Sequence, residues 1–420
     1  MVFSSLSFLY YFLPCTLIVY FAVPDKMKNL VLFLFSMMFY GSGEPIMIVQ
    51  MLLMISVGYL SGLFMERSPK HKKKNLLVTC IYCVGTLAYF KFADKLPIGI
   101  SFYTFQILSY VIDVYRGEVP AQNNFLNLAT YVAMFPQLIA GPIVRYQHVV
   151  EQLVHREHSM DKVAVGIRRF VIGLSKKVFL ANAFGEVCVL FTQSGEKSVL
   201  FYWMSAIAFT LQIYFDFSGY SDMAIGLGKI FGFDFVENFR YPYTSKSITE
   251  FWRRWHISLG TWFRDYVYIP LGGSEKWYAL IIVWALTGIW HGGNWNFLVW
   301  GLYFAVLLVI ERKWLRKNSR IYVLMAVVIG FVIFQGPTLE AALQNLAGMF
   351  GVLGAPLISA ETIYYLKSYG VLFIVGIVGA TELKIKLPKW LEMIVLLLLL
   401  IGVTAYLVDG SYNPFLYFRF

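Results

Sequence analysis

The chain has 420 residues, of which 59% are hydrophobic, 18% aromatic and only 14% charged. Soluble domains carry about 25% charged residues, so a mean hydropathy of +0.64 excludes an ordinary water-soluble enzyme and predicts an all-α polytopic membrane protein. A net charge of +11 would point to nucleic acid if the basic side chains formed one soluble patch. They fall instead in short loops between apolar runs, as the positive-inside rule leads one to expect, and no nucleic-acid partner is predicted.

Apolar runs near the roughly 20 residues needed to span hydrocarbon recur along the whole chain. No polar linker, low-complexity stretch or internal repeat separates them, so residues 1–420 read as a single integral membrane domain in the lipid bilayer. Cys15, Cys80, Cys83 and Cys188 all lie in apolar segments. Cys80-Ile81-Tyr82-Cys83 has redox-like spacing, but inside a hydrophobic helix it reads as packing, and no disulfide framework or metal site is predicted. Met1-Val2-Phe3 lacks a basic leader and Phe21-Ala22-Val23-Pro24 is a poor cleavage site, so residues 3–23 are expected to be a retained first span.

After the basic turn Pro24-Asp25-Lys26-Met27-Lys28 comes a short apolar run at 29–40, ended by Gly41-Ser42-Gly43, and then a span at 45–65. The loop from Arg67 to Lys74 concentrates charge in Lys70-His71-Lys72-Lys73-Lys74. Such a run suits anionic lipid, but it serves first as a topology signal that puts the loop in the cytoplasm. Counting back through two short spans places Lys26 and Lys28 inside and the N-terminus outside.

Residues 75–92 cross back. Pro97 and Gly99 head a run that holds Ser101, Thr104, Gln106 and Asp113, which predicts a broken or re-entrant helix. Such backbone survives at membrane depth only when buried in protein or facing a cavity. Residues 125–144 read as another interrupted segment, and 145–182 as charged, amphipathic interfacial helices. A span at 199–215 runs into a segment with Asp216 and Asp222. Six apart, these do not share a helix face well, so pairing with the later arginines is expected rather than a metal or an acid/base pair. Gly226-Leu227-Gly228-Lys229 fails both phosphate-loop spacings.

Residues 248–271 hold Glu250, Arg253, Arg254, His256, Arg264 and Asp265. One central Arg costs about 2.5–3.5 kcal/mol on insertion scales, so this is an interfacial or re-entrant helix lining a polar cavity. In it Glu250 and Arg254 are placed for an i,i+4 pair, and Phe251, Trp255, Trp262 and Tyr266 for a shared apolar flank. Residues 277–291 carry His291 at the end of an apolar run. Spans are predicted at 294–310, 321–335, 369–380 and 391–407, with an amphipathic helix near 338–350.

Within Tyr241 to Trp300, His256 follows Trp255 and His291 follows Trp290. Either histidine alone reads as a satisfied core residue, and the arginines as snorkelling to an interface. The two together, each after a Trp and near small residues, mark a site, because polar groups are costly in so apolar a chain.

From Pro97 to Trp300 the chain resembles the membrane-bound O-acyltransferase family, most of all its alginate O-acetyltransferase branch. The pieces that carry the resemblance are Gly99-Ile100-Ser101-Phe102-Tyr103-Thr104-Phe105-Gln106, Phe135-Pro136-Gln137-Leu138-Ile139-Ala140-Gly141-Pro142-Ile143 and Tyr214-Phe215-Asp216-Phe217-Ser218-Gly219-Tyr220-Ser221-Asp222. Further pieces run from Phe251 to Leu259 and from Phe263 to Gly273, followed by Trp290-His291-Gly292 and the tail Pro414 to Phe420. The resemblance implies a bowl of roughly ten or more transmembrane helices around a tunnel. It also implies acyl transfer from a thioester donor to a hydroxyl, with His291 in the place of the family's near-invariant histidine and His256 in that of its second. Only Ser274-Glu275-Lys276 joins Gly273 to Trp277, shorter than expected of the alginate enzymes, and this bears on the acceptor and partner surface.

A thioester is already activated, so the acceptor hydroxyl chiefly needs a base, and an imidazole suits that role near neutral pH. His291 is expected to be that base and His256 to orient substrate, with Arg253 and Arg254 disfavouring its protonated form. Gly292 and Gly293 have two readings, an oxyanion site on backbone N–H groups or tight helix packing. No Gly-x-Ser-x-Gly elbow occurs, which favours direct transfer without an acyl-enzyme. Tyr103, Gln106, Gln137, Asn238 and Arg254 are expected to line one cavity, with Trp252, Trp255, Trp290 and Asn294 beside it.

No permanently bound cofactor is expected. The donor implied is an acyl thioester such as acetyl-CoA, and the acceptor an extracytoplasmic exopolysaccharide at the cell membrane, reached through a partner transferase. Two other readings stay open. One is D-alanyl transfer from a carrier protein to teichoic acid; the other is a transporter or channel, which broken helices and buried charge also suit.

Overall fold

The structure is a computed structural model that describes residues 1–93, 96–139, 141–313, 319–383, 387–410, 413–414 and 416. Ala140 of the second motif, and Phe415 with Tyr417 to Phe420 of the tail motif, lie outside the described residues. Every regular element among the described residues is helical. Six helices are long and apolar enough to cross a membrane: Met47–Arg67, Pro69–Phe92, Val199–Ile230, Trp295–Lys313, Ala360–Gly379 and Lys389–Val408. Phe8–Ala22, Trp277–His291 and Arg320–Gln335 are apolar but shorter. By this measure the expected ten or more spans are not reached among the described residues.

The chain forms two compact units, Met1–Leu174 with Tyr220–Glu237, and Ser175–Gly219 with Asn238–Phe420. In the first, Phe3, Phe8, Phe12, Phe39 and Phe135 interlock, with Phe12 and Phe135 edge to face at 5.3 Å. Pro97 and Gly99 do not break a helix here; they start one. Gly99 has φ 76° and sits so close to the next segment that a Cβ would lie 2.5 Å from the Leu138 carbonyl oxygen. From there Ile100–Arg116 runs unbroken to Gly117, a left-handed cap at φ 77°, so the break expected in this segment is corrected to a continuous buried helix. The interruption expected in 125–144 is present. Asn124 caps Phe125–Ala133 by accepting from the N–H groups of Leu126 and Asn127, and the helix stops at Met134, two residues before Pro136.

Asp216 and Asp222 both form ion pairs, but with upstream cations rather than later arginines. In the first unit Asp222 shares Arg169 with Glu237, at 2.9 and 2.5 Å. In the second unit Asp216 meets Lys177 at 3.0 Å. Both carboxylates lie on one continuous helix, Val199–Ile230. Met160–Ser175 leads through a π-helical stretch, Lys176–Ala181, into Asn182–Gln193, and Lys177 in that stretch is buried.

The second unit is organised on a hairpin of Trp277–His291 and Trp295–Lys313. Its two backbones touch at glycines: a Cβ on Gly301 would lie 2.2 Å from the Trp284 carbonyl oxygen, and one on Gly288 2.4 Å from that of Phe297. Close approach of this kind is how small residues let apolar helices pack where no hydrophobic drive separates protein from lipid. Against the hairpin lie Ile248–Arg254 and the π-helical turn Arg264–Tyr268, with Ile257–Phe263 between them in the chain. The single helix expected over 248–271 is thus broken at Trp255 and His256. The Glu250–Arg254 pair forms at 2.6 Å, but the shared aromatic flank does not. Phe251 stacks with Trp255 at 5.6 Å and Trp262 meets Tyr266 at 5.1 Å, as two separate pairs.

Candidate active site

His256 stands at the break between the two short helices, with its backbone in the left-handed region at φ 43°. This is uncommon for a side chain bearing Cβ, although His tolerates it better than most. The side chain is 3% exposed. Its Nδ1 lies 3.1 Å from Asn238 Oδ1. That oxygen also accepts from the Ser258 N–H at 3.2 Å and the Ser258 hydroxyl at 2.9 Å. An amide carbonyl has no proton to give, so His256 donates from Nδ1 and its Nε2 carries the lone pair. Nε2 is buried without a hydrogen-bond partner among the described residues. Phe217 fixes the ring edge to face at 4.6 Å. Burial alone pushes the pKa of this imidazole down to about 3. The expected influence of Arg253 and Arg254 is therefore replaced by desolvation.

His291 is the last residue of its helix and is caged by aromatics. Trp290, Trp300 and Phe334 have ring centroids 4.9, 5.2 and 5.1 Å from it. Trp290 also faces His256, at 6.2 Å. Both histidines line a chamber of about 620 Å³, together with Trp252, Arg253, Trp255, Arg264, Trp284, Thr287 and Trp300. They also share a smaller cavity of about 30 Å³ with Asp216, Phe217, Phe331, Phe334 and Leu416. In the chamber wall, the indole N–H groups of Trp252 and Trp300 lack a partner among the described residues. Buried indoles ordinarily find one.

Of the glycines after His291, Gly292 has the packing role. Its N–H closes the helix on the Gly288 carbonyl at 3.3 Å, and a Cβ there would lie 2.2 Å from the Phe297 ring.

The structure brings together His256, His291, Trp252, Trp255 and Trp290, with Asn238 behind His256. It sets two expected residues apart from the chamber. Arg254 is held by Glu250 and by Thr244 at 2.9 Å, and its neighbour Arg253 lines the wall instead. Asn294 is exposed and donates to the Pro337 carbonyl at 3.2 Å; the buried amide there is Asn296, which donates to the Gly336 carbonyl at 2.8 Å. Tyr103, Gln106 and Gln137 belong to the first unit and are fully buried in it. There Oε1 of Gln106 and of Gln137 find no partner among the described residues. Thr287 and Trp300 were not singled out from sequence. Thr287 precedes His291 by one helical turn, and that spacing was the available signal.

An apolar, multi-pass helical protein whose chamber holds two histidines and unpaired indole donors has the makings of a membrane enzyme. Residues 117–326 match the model of MBOAT, the membrane-bound O-acyltransferase family. The chain is 36% identical to the "Probable alginate O-acetylase AlgI" of Azotobacter vinelandii over 100% of both chains. It is 30% identical to the peptidoglycan O-acetyltransferase of Helicobacter pylori over 85% of this chain and 81% of that one. It is also 30% identical to the teichoic acid D-alanyltransferase of Bacillus subtilis, over 57% of this chain and 68% of that one. The chain belongs to the membrane-bound O-acyltransferase family and is a multi-pass membrane O-acyltransferase, as the resemblance of its motifs implied.

Proposed function

We propose that the protein moves an acetyl group from a cytoplasmic thioester, acetyl-CoA, to hydroxyls of an extracytoplasmic polysaccharide, directly or through a partner transferase. The observation that carries this reading is the sharing of one chamber by His256 and His291. Relatives whose names specify acetylation of alginate and of peptidoglycan support acetyl as the group and a glycan as the acceptor.

In the chemical step His291 takes the proton of the acceptor hydroxyl as its oxygen attacks the thioester carbonyl. The C–S bond breaks, and the proton passes to the leaving thiolate. His256 keeps a neutral ring with Nε2 as acceptor, so it receives a hydrogen bond from the hydroxyl and orients it. Burial disfavours the protonated form of this ring, which suits His256 to accepting and orienting rather than to carrying the proton.

The test supplies the purified protein with acetyl-labelled acetyl-CoA and an acidic exopolysaccharide. Label should appear as alkali-labile ester on the glycan, with free thiol released in equal amount. A protein that moves label across a vesicle membrane without releasing thiol would be a transporter, and the enzymatic reading would fall.

The donor reaches the chain from the cytoplasm, so orientation is part of the reading. Arg67 to Lys74 face the cytoplasm and the N-terminus lies outside. A lone cysteine replacing Ser68 should resist a membrane-impermeant thiol reagent in intact cells and react after permeabilisation. Ready labelling in intact cells would reverse the topology.

A further inference from the structure

Asp216 has no part in the step above, yet it borders the small cavity that the two histidines share. It is gripped from two sides. Oδ1 meets the Lys177 ammonium at 3.0 Å, the two side chains being 4% and 2% exposed. Oδ2 accepts from the backbone N–H of Leu416 at 3.0 Å. The same ammonium donates to the Pro414 carbonyl and to Asn182 Oδ1 at 2.7 Å. Asn182 in turn donates to Asn413 Oδ1 at 3.2 Å. One buried ion pair and its amide neighbour thus hold three described residues of the C-terminal segment, two of them by backbone groups.

A buried ion pair is weak evidence for stability, since apolar replacements of similar volume are often neutral or better. What this pair does that apolar side chains cannot is satisfy the backbone groups of Pro414 and Leu416. The result is that the Leu416 side chain forms one wall of a cavity of about 30 Å³, which is room for about one water molecule.

We infer that Lys177 and Asp216 are a positioning pair that holds Leu416 in the wall of the histidine cavity, where it keeps bulk water from the thioester during transfer. The inference rests on the acyl-transfer reading above. A base that activates an acceptor hydroxyl activates water equally well, so a transferase needs the cavity shut to everything but its acceptor. When the wall is opened, water takes the proton-abstraction step in place of the acceptor. The thioester is then hydrolysed to acetate and free thiol.

The experiment follows two products in the full-length protein: thiol released from acetyl-CoA and acetyl delivered to the polysaccharide. Leu416→Ala opens the wall without touching the pair. Lys177→Met combined with Asp216→Leu removes the pair without stranding a charge. Thiol released per acetyl delivered should rise several-fold in both, with the melting temperature of Leu416→Ala unchanged. If Leu416→Ala keeps the wild-type ratio, the inference is overturned whether or not the double variant folds. It is equally overturned if both products fall together in step with stability, because the pair is then only structural. A wild-type protein that releases no thiol would refute the acyl-transfer reading itself, which separates the two failures.

Discussion

His291→Ala is expected to lower acyl-transfer turnover by about 10²–10⁴-fold, the usual contribution of a general base, while leaving thioester binding and thermal stability near wild type. The residue sits at the end of Trp277–His291, so losing its side chain removes no turn of helix. Its neighbours in the cage, Trp300 and Phe334, also contact one another at 5.1 Å, and they keep the pocket shaped in its absence. The measurement is single-turnover acetyl release beside equilibrium binding of a non-hydrolysable CoA analogue. A variant that keeps wild-type turnover would remove His291 from the chemical step.

Gly301→Val should abolish the folded protein, because the Cβ position lies 2.2 Å from the Trp284 carbonyl oxygen and 3.1 Å from its carbon. The obstruction is backbone, which cannot swing aside as a side chain does. Overpacking of this kind costs about 1–3 kcal/mol in yielding cores, and more is expected where two helix backbones must part. The hairpin carries His291 on one arm and Trp300 on the other, so any variant that survives should have a damaged chamber. Gly85→Ala is the control: a Cβ there meets nothing within 4 Å, and exchanging Gly for Ala in a helix gains roughly 0.8–1 kcal/mol. Monodispersity and melting temperature in detergent measure both. A Gly301→Val protein melting like wild type would mean that the helices are not apposed at this point.

Much of this was legible because lipid imposes a simple rule on sequence. Runs of about 20 apolar residues must be helices, and the spans around Met47–Arg67, Trp295–Lys313 and Lys389–Val408 were readable on that ground. The two histidines were also readable, through cost: a polar side chain in such a chain needs a reason. What stayed hidden depended on tertiary partners. Pro97 and Gly99 gave the same signal whether they broke a helix or began one, and the closeness of Leu138 decided it. The stop at His256 carries no Gly or Pro to announce it. Lys177 read as one more interfacial cation until its partners, Asp216 at 39 positions further on and Pro414 near the far end, were in view. Gly292 had two readings that only the position of Phe297 distinguished.

The left-handed backbone at His256 also bears on how this protein can vary. Only a few side chains accept φ near 43° readily, with Gly, Asn, Asp and His foremost. In a saturation library at this codon, most substitutions, and β-branched ones above all, would carry a backbone penalty of about 1–2 kcal/mol. Among the tolerated four, Gly has no side chain to reach the Asn238 carboxamide, and an Asp carboxylate would meet an oxygen there. Asn remains as the one replacement that fits the backbone and still donates toward Asn238. His256→Asn would therefore keep the backbone and the bond to Asn238 while losing the Nε2 acceptor, which separates the residue's structural part from its part in orienting the hydroxyl.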